Sequence, residues 1–248
     1  MKALILAAGY ATRLHPLTLT QPKPLLQVAG RPILEHVLEN LTAIPGIDRI
    51  HVVTNSYFIG AFQQWKASHT AKPLAYDLDL IEDGSTADAN RLGAIGDLHF
   101  AIQNARIDDD LIVVAGDNLF SQPLTGFGEA IRARNAPVLG IYDVGSLDLA
   151  RKYNNIEIDD QGRLLQFEEK PATPSSTLVG IALYYYPRTV LPLIRQYMME
   201  GNNPDQPGRL VQWMCPRTPY FTWRVPGLWY DIGSKETLEE ANRIFARL

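Results

Sequence analysis

The chain has 248 residues, of which 46% are apolar and 20% charged, and its formal net charge is −4. This size suits one large α/β domain with a filled core, and the mild negative charge excludes nucleic acid or an anionic membrane as the main ligand. A single cysteine, Cys215, excludes a disulfide within the chain. The apolar segment Met1–Gly9 is too short to span a bilayer and lacks a basic start and a cleavage site, so we expect a cytoplasmic protein without a membrane partner.

Apolar strands alternate with amphipathic helices through the first two thirds of the chain. A buried strand over Lys2–Ala7 is followed by a helix that starts near Pro32 and has one apolar face. The elements predicted after it are a strand at Arg49–Thr54, a helix at Tyr57–Ser68, a strand at Leu74–Ile81, a helix over Leu92–Ile102, and strands at Leu111–Ala115 and Val138–Tyr142. This alternation predicts a mainly parallel sheet with helices on both faces.

The last third of the chain predicts a different arrangement. The segment Asp159–Gly162 lies between two strand-like runs, Ile156–Ile158 and Leu164–Glu168, which is typical of a hairpin. The further predicted elements are a strand at Leu178–Tyr186, a helix at Pro187–Met199, a polar loop at Gly201–Gly208, short strands at Tyr220–Val225 and Trp229–Ile232, and a final helix that Ser234 caps and that buries Leu238, Ala241, Phe245 and Leu248. Because no repeat or linker divides the chain, we predict one domain over residues 1–248, with an elaboration around 145–230 that covers the carboxyl edge of the sheet.

The segment after the first strand has the residue types of a polyphosphate cradle. The small residues at Ala7–Gly9 let a ligand approach the backbone and leave N–H groups free to face an anion. Two cations, Arg13 and Lys23, follow in a segment with little helical or strand pattern. The segment is not a dinucleotide fingerprint, because Ala11 and Leu14 occupy the second and third glycine positions, and the chain has no Gly-Lys-Ser/Thr of a Walker A loop.

Charged residues also follow three of the later predicted strands. These residues are Asp117, the pair Glu169 and Lys170, and Asp231. Ligands of open parallel sheets bind outside the carboxyl ends of strands, so we expect these side chains to face the cationic loop. Two carboxylates opposite such a loop indicate Mg²⁺, which takes one or two carboxylates together with water and phosphate oxygens. No Ser-His-Asp or Cys-His set points to a protein nucleophile, so positioning and charge neutralisation are expected to carry a phosphoryl-type transfer. Taken singly, each of these residues also fits a turn, a helix cap or a solvated charge.

The motifs at these positions resemble those of the sugar-phosphate nucleotidyltransferase family and are similar to those of enzymes of the glucose-1-phosphate thymidylyltransferase type. The family begins with a strand and the signature Gly-Gly-x-Gly-Thr-Arg-Leu-x-Pro-Leu-Thr, followed by Pro-Lys-Pro. This chain has Ala8–Thr18 in the same order, with alanine at two glycine positions, and Pro22–Pro24 after it. The segments Gly116–Asn118, Glu169–Pro171 and Trp229–Gly233 follow in the family's order, so the resemblance covers essentially the whole chain. It implies a Rossmann-like three-layer α/β/α sandwich with a mostly parallel mixed central sheet.

The resemblance also implies a reaction and a set of site residues. The reaction joins a nucleoside triphosphate to a sugar 1-phosphate and releases pyrophosphate, with Mg²⁺ as the cofactor. The residues implied to be catalytic are Arg13, Lys23 and Asp117, and those implied to hold the metal are Asp117 and Asp231. The implied nucleotide contacts are Leu6, Ala8, Gly9, Ala11, Thr12, Arg13, Gly84 and Asp117. The implied acceptor contacts are Asn154, Glu169, Lys170 and Gly180, of which Gly180 would let the sugar approach its strand.

The nucleobase, the acceptor and the oligomeric state stay open, and a homo-oligomer is one option. Residues Asp79–Thr86 lack the glutamine that thymidine- or uridine-specific members often place there, and Asn154 stands where many members have a glycine. One alternative is a CTP-dependent enzyme that acts on phosphocholine or a similar phosphorylated alcohol, which requires an aromatic cage. The aromatic residues considered for such a cage are Tyr184, Tyr185, Tyr186, Trp213 and Trp229. Another alternative is a regulator that binds nucleotide without turnover and has less need of both metal-binding carboxylates.

Overall fold

The computed structural model describes residues 1–70 and 74–248. Its strands are β1 (Lys2–Leu6), β2 (Gln27–Val28), β3 (Arg31–Pro32), β4 (Arg49–Thr54), β5 (Asp77–Glu82), β6 (Leu111–Ala115), β7 (Asn118–Phe120), β8 (Val138–Asp143), β9 (Asn154–Ile158), β10 (Leu164–Glu169), β11 (Leu178–Tyr186), β12 (Phe221–Arg224) and β13 (Trp229–Asp231). Its α-helices are α1 (Ile33–Thr42), α2 (Ile59–His69), α3 (Ala94–Asn104), α4 (Thr125–Arg132), α5 (Leu147–Ala150), α6 (Leu191–Met199), α7 (Pro207–Met214) and α8 (Lys235–Phe245).

The central sheet has seven strands in the order β12-β8-β11-β6-β1-β4-β5. The strands β1, β4, β5 and β6 are mutually parallel, and β12 runs parallel to β8. In this sheet β11 runs antiparallel to both of its neighbours, β6 and β8. The prediction of a mostly parallel mixed sheet is therefore confirmed.

Helices cover both faces of this sheet because the side chains of each strand alternate between them. Ile5 of β1 belongs to a buried cluster with residues of α1, α2 and α4, such as Leu34, Phe62 and Phe127. Leu4 belongs to a second cluster, with residues of α3, α6 and α7. This arrangement confirms the three-layer α/β/α sandwich.

In the described part of the chain, three two-stranded sheets accompany the central one: β9 with β10, β7 with β13, and β2 with β3. The first of these is the hairpin predicted around residues 159–162. The second joins segments from the middle and the end of the chain, a pairing that no local sequence pattern indicates.

The last helix, α8, closes against the segment that follows the N-terminal loop. Ser234 caps it as predicted, with its hydroxyl oxygen accepting from the Thr237 N–H at 3.2 Å. Asn242 ties α8 to the backbone of residues 27 and 29, since its side chain accepts from the Ala29 N–H at 2.9 Å and donates to the Gln27 carbonyl oxygen at 3.2 Å. The prediction that this helix buries Leu248 is wrong, because that side chain lies beyond the helix and is 74% exposed.

Other element boundaries differ from the predictions by a few residues. The strand predicted at Leu74–Ile81 corresponds to β5, which begins at Asp77 and not at Leu74. The segment predicted as a polar loop up to Gly208 gives way to α7 at Pro207, because proline is well accommodated as the first residue of a helix. No helix within residues 1–70 and 74–248 is both long and apolar enough to cross a membrane.

Candidate active site

A cleft of about 300 Å³ lies at the carboxyl ends of β1 and β6. It begins where these strands stop, at Leu6 and Ala115, which is the expected place for a ligand in an open parallel sheet. The predicted site residues that line it are Leu6, Ala8, Gly9, Ala11, Lys23 and Asp117. The start of α3 and the segment before α7 form the other side, where the lining residues include Asp88, Arg91, Gly93, Ala94, Asp97, Asp205 and Pro207. We call these two parts the loop side and the helical side of the cleft.

The loop after β1 presents its backbone to the cleft. The Asn55 amide holds this loop by donating to the Ala8 carbonyl oxygen at 2.9 Å. Ala11 adopts the left-handed conformation, with a φ of 49°, which is uncommon for a residue with a side chain and concentrates at functional sites. At Gly9, no heavy atom of the described ranges lies within 4 Å of the position that a Cβ would take. The backbone at this point is therefore open to a ligand.

Lys23 and Asp117 form an ion pair on the loop side. The Lys23 ammonium group also donates to the Ile232 carbonyl oxygen at 2.9 Å. Burial by itself lowers the pKa of Lys23, but the charge and hydrogen bond of Asp117, followed by the charge of Asp231, raise it above its ordinary value. The side chain therefore supplies a permanent positive charge at a fixed place.

The β7–β13 pair brings Asp231 beside Asp117. Asp231 lies opposite Asn118 in this two-stranded sheet, and the Ile232 N–H donates to the Asp117 carbonyl oxygen at 3.2 Å. The buried Asn118 side chain connects the two strands, because it donates to Asp117 Oδ1 at 2.9 Å and accepts from Trp229 Nε1 at 2.7 Å. Two carboxylates that are far apart in the sequence thus meet at one edge, within reach of Lys23.

The Asp117–Asp231 pair has the donor chemistry of a site for a hard divalent cation. Burial, followed by the charge of Asp117, raises the pKa of Asp231 to about 6, although Lys23 and Arg13 act to lower it. The two carboxylates lie close enough to interact, and carboxylate oxygens are the ligands that Mg²⁺ prefers. Within residues 1–70 and 74–248, no group of three or more His, Cys, Asp or Glu residues could hold a metal ion. Further ligands of an ion here would therefore be water or substrate oxygens, and its assignment as Mg²⁺ stays a prediction.

Three of the predicted nucleotide-binding residues lie beside the cleft lining. Thr12 and Arg13 are exposed in a single 3₁₀ turn after the loop. Gly84 follows β5 with a φ of 84°, a left-handed conformation that suits glycine. The Asp83 carboxylate closes this turn by accepting from the Ser85 N–H at 2.7 Å. Nucleotide contacts of these three residues stay predictions.

Asn154 and Gly180, two of the predicted acceptor contacts, are bonded to each other. The buried Asn154 side chain donates to the Gly180 carbonyl oxygen at 2.8 Å and accepts from its N–H at 2.6 Å. A Cβ on Gly180 would lie 2.7 Å from Leu139 and 3.0 Å from Phe167. The space that this glycine leaves is therefore filled by protein atoms and not left to a sugar, so the predicted reason for the glycine is corrected. Its close packing in the sheet accounts for it.

Glu169 and Lys170 lie at the end of β10, next to the start of α7. The Glu169 N–H donates to Gln212 Oε1 of α7 at 3.1 Å, and Glu169 Oε2 fills the place beside Gly208 where a side chain would otherwise project. Burial raises the pKa of Glu169, against the charges of Lys170 and Arg209, which lower it. Lys170 is exposed and has a φ of 50°, so it is a further residue with a side chain in the left-handed conformation.

The residues of the helical side were not predicted. Gly93 has a φ of 79°, and a Cβ there would lie 2.7 Å from the Pro204 carbonyl oxygen. That oxygen accepts from the Ile95 N–H at 2.8 Å, and this contact places Asp205 next to the start of α3. The helix predicted over Leu92–Ile102 includes Gly93, whereas the helix begins at Ala94, and a glycine at the start of a helical pattern is a sequence signal for such a close approach. The polar segment that makes the approach has no comparable signal, because its composition does not indicate what it packs against.

Comparisons with known proteins agree with this architecture. The nucleotidyl transferase family matches the chain over residues 2–247. The UTP–glucose-1-phosphate uridylyltransferase of a Synechocystis species is 30% identical over 94% of this chain and 60% of its own length. A Sulfolobus acidocaldarius protein assigned as a mannose-1-phosphate guanyltransferase is 31% identical, with the same two coverages of 94% and 60%. The chain thus spans about three fifths of the length of these two curated relatives.

A solved structure shows the same fold over the whole chain. It is that of a Bacillus anthracis protein assigned as a glucose-1-phosphate thymidylyltransferase, in complex with sucrose. Its TM-score is 0.86 at 21% sequence identity, and the match covers 100% of this chain and 96% of that one. With the family match extending over residues 2–247 and the fold and motif order both in agreement, the chain belongs to the nucleotidyl transferase family.

Proposed function

We propose that this protein joins a nucleoside triphosphate to a sugar 1-phosphate, giving a nucleotide sugar and pyrophosphate. The observation that carries the proposal is the meeting of Lys23, Asp117 and Asp231 at the carboxyl edge of the sheet, beside a loop with an open backbone. Two curated relatives that carry sugar-1-phosphate nucleotidyltransferase names support the same reaction class. Their names differ in both the base and the sugar, so they leave the substrates of this chain open.

The proposed chemistry is a direct displacement at phosphorus. An oxygen of the sugar phosphate attacks the α-phosphorus of the triphosphate, the bond from that phosphorus to the bridging oxygen breaks, and pyrophosphate leaves with the electron pair. Lys23 and Arg13 would neutralise charge on the transferring and leaving phosphates, and a positioned charge of this kind lowers the barrier of phosphoryl-type transfer. The open N–H groups around Gly9 would hold phosphate oxygens.

Asp117 and Asp231 would hold the Mg²⁺ ion. When bound, such an ion supplies positive charge for the phosphate oxygens and helps to orient them. Asp117 and Asp231 would fix the position of the ion, since the β7–β13 pairing and Asn118 restrain both carboxylates. Lys23 remains tied to the Ile232 carbonyl oxygen, which keeps the ammonium group at the same edge.

The sugar phosphate would lie between the loop side and the end of β10. Glu169 would accept hydrogen bonds from sugar hydroxyls, and Lys170 would contact the acceptor phosphate. Glu169 stands next to α7, and Asp205 and Pro207, just before and at the start of that helix, line the cleft. Asn154 would support this region indirectly, because its side chain is bonded to the backbone of Gly180.

A phosphocholine acceptor fits the structure less well. The aromatic residues considered for a cation-binding cage are Tyr184, Tyr185, Tyr186, Trp213 and Trp229. Four of them are buried at 8% exposure or less, and Trp213 packs against Tyr197 and Arg217. Of the described residues that line the cleft, the aromatic one is Tyr10.

The test is pyrophosphate release by the purified protein with a panel of triphosphates and acceptors. The acceptors are glucose 1-phosphate, other sugar 1-phosphates and phosphocholine, each assayed with and without Mg²⁺. We expect release that requires the triphosphate, a sugar 1-phosphate and the metal together. Triphosphate binding without release under any combination would favour a non-catalytic regulator, and release with phosphocholine alone would favour the other alternative.

The variant Asp117→Ala should lose turnover while it still binds nucleotide. Its matched control is Asp108→Ala, which removes an exposed carboxylate that pairs with Arg188 before β6, at the opposite edge of the sheet. Unchanged turnover in Asp117→Ala would remove the metal role assigned to this residue.

A further inference from the structure

Tyr10 is a side chain of the cleft to which the proposed reaction gives no role. It follows Gly9 in the loop after β1 and is half-buried. It is the aromatic residue among the described ones that line the cleft, so its ring is within reach of a ligand. An aromatic ring on the wall of a cleft offers a flat apolar surface, on which a planar group of a ligand can pack.

The ring of Tyr10 is held in place by its neighbours. Its hydroxyl donates a long hydrogen bond to Ser85 Oγ at 3.4 Å. The ring packs against Tyr57 and Phe58, with centroids 6.5 and 6.4 Å away. Phe58 is itself fixed, because it is buried and its N–H donates to Asn55 Oδ1 at 2.9 Å. A ring restrained in this way loses little conformational freedom when a ligand packs on it.

The charges of the cleft give a bound nucleotide a direction. Lys23 lies on the loop side, whereas Asp88, Asp97 and Asp205 lie on the helical side. Arg91, also on the helical side, is already paired with Asp88 at 2.9 Å and with Asp205 at 3.3 Å. Carboxylates repel phosphate groups, while a nucleobase carries no net charge. The triphosphate therefore belongs toward Lys23, and the nucleoside end toward the helical side.

The hydroxyl end of Tyr10 is directed toward that helical side. Ser85, which accepts its hydrogen bond, follows Gly84 in the turn after β5 and donates in turn to Asp83 at 2.8 Å. Burial raises the pKa of Tyr10, the hydrogen bond with Ser85 lowers it, and the charges of Asp83 and of two acidic residues of the helical side raise it further. At Gly84, no heavy atom of residues 1–70 and 74–248 lies within 4 Å of the position that a Cβ would take. The ring thus extends from the loop to the end of the cleft where the nucleoside belongs.

We infer that the nucleobase of the bound nucleotide stacks on the ring of Tyr10. This inference rests on the proposed function, because it takes a nucleotide as the ligand of the cleft. Every base has a flat π face, so stacking supplies affinity for the nucleoside end without reading the edge of the base. Loss of such a stack weakens binding by roughly 5- to 150-fold.

The experiment compares the binding of ATP, GTP, CTP and UTP with that of tripolyphosphate, in the presence of Mg²⁺ and without acceptor, by calorimetry. Tripolyphosphate can make the phosphate contacts but has no base. In Tyr10→Leu, which keeps an apolar side chain but removes the ring, the dissociation constant of the tightest-binding triphosphate should rise at least about fivefold. That of tripolyphosphate should change by less than about twofold, since its contacts lie on the loop side. An unchanged triphosphate constant, or an equal rise for both ligands, overturns the inference.

Two further variants separate the ring from its surroundings. Tyr10→Phe removes the hydrogen bond to Ser85 but keeps the ring, so triphosphate binding should stay within about twofold of the wild type. The matched control is Tyr57→Leu, which removes an aromatic ring that packs on Tyr10 but is not among the residues that line the cleft, and which should also stay within about twofold. A loss in either variant as large as that in Tyr10→Leu overturns the inference, because the hydroxyl or the aromatic cluster would then carry the effect.

A spectroscopic measurement tests the contact directly in the wild-type protein. The ring current of Tyr10 shifts the NMR signals of protons above its face upfield, so the base protons of the bound triphosphate should move upfield and lose this shift in Tyr10→Leu. An upfield shift confined to the ribose protons, or one that persists in Tyr10→Leu, contradicts the assignment. This measurement serves even if Tyr10→Leu does not fold, because the wild-type spectrum alone shows whether the base protons are shifted. A protein that binds none of these triphosphates would instead refute the proposed function, whereas binding that is independent of Tyr10 refutes this inference alone.

Discussion

Gly208 offers a sharp test of the acceptor side, because its missing side chain makes room for Glu169. In Gly208→Ala the new Cβ would lie 1.9 Å from Glu169 Oε2 and 2.9 Å from the Phe167 ring. Ordinary contacts between such atoms are about 3.5 Å or more, so the carboxylate must move by roughly 1.5 Å. A shift of that size is enough to break a hydrogen bond to a sugar hydroxyl, whose usable range is only a few tenths of an ångström.

The expected effect falls on the acceptor and not on the nucleotide. Loss of one hydrogen bond to a charged group costs about 1.5–3 kcal/mol, which is roughly a 10- to 150-fold rise in KM for the sugar 1-phosphate. Overpacking costs about 1–3 kcal/mol of stability, offset by at most about 1 kcal/mol from the better helix propensity of alanine. The net loss of stability should therefore be small enough for the variant to fold.

The assay is steady-state pyrophosphate release with each substrate varied in turn, together with urea unfolding. The matched control is Gly60→Ala, since both glycines are the second residue of a helix and nothing in the described ranges lies within 4 Å of a Cβ at Gly60. This control should keep wild-type kinetics and lose no stability. An unchanged KM for the acceptor in Gly208→Ala would refute the place given to Glu169, and an equal loss for both substrates would indicate general damage to the fold.

Three further changes have definite expected outcomes. Lys23→Met removes the ammonium group but keeps the length of the side chain, and should lower the turnover rate about 100- to 1,000-fold with the fold intact by circular dichroism; a wild-type rate would contradict the phosphate contact. The pKa of Asp97 is raised to about 8 by burial and by Asp83, from an ordinary value near 4, so its folded form holds a proton more tightly than the unfolded chain and stability falls as pH rises from about 4 to 8. Urea unfolding of Asp97→Asn over this range should show a flatter pH dependence, and a slope equal to that of the wild type would contradict the raised pKa. Asn154→Leu leaves both backbone groups of Gly180 without their side-chain partner and should lower the free energy of unfolding by about 2–4 kcal/mol, whereas a loss below about 0.5 kcal/mol would show that these bonds carry little.

Much of the fold could be predicted because its elements are local patterns. The run at Lys2–Ala7 and the Ser234 cap each specify an element without reference to the rest of the chain, and both elements were found in the structure. Leu248 was misassigned because it lies past the end of the helix, where the apolar repeat continues in sequence but the packing does not. Helix α7 was not predicted, since its first two residues were assigned to a polar loop and no element was assigned to the rest of it.

The candidate site could be predicted as a set of residues but not as a geometry. Asp117 and Asp231 were identified from their places after predicted strands, while the β7–β13 pairing that joins them depends on contacts between distant segments. Gly180 was interpreted from its residue type alone. A glycine near a ligand site suggests room for the ligand, but here that room is taken by Leu139 and Phe167. Asp97 lay unnoticed in a helical pattern, because its burial depends on what the helix packs against and not on its own sequence.

The closure of α8 on the N-terminal loop sets an order for events during synthesis. Lys23 leaves the ribosome 209 residues before Ile232, which accepts its hydrogen bond, and Asn242, which fastens the neighbouring backbone, follows Ile232. A nascent chain that stops before β13 can already pair all seven strands of the central sheet, but it has neither the second carboxylate nor this fastening. Activity should therefore arise only after β13 and α8 have been synthesised, when all seven strands of the central sheet are already available to pair.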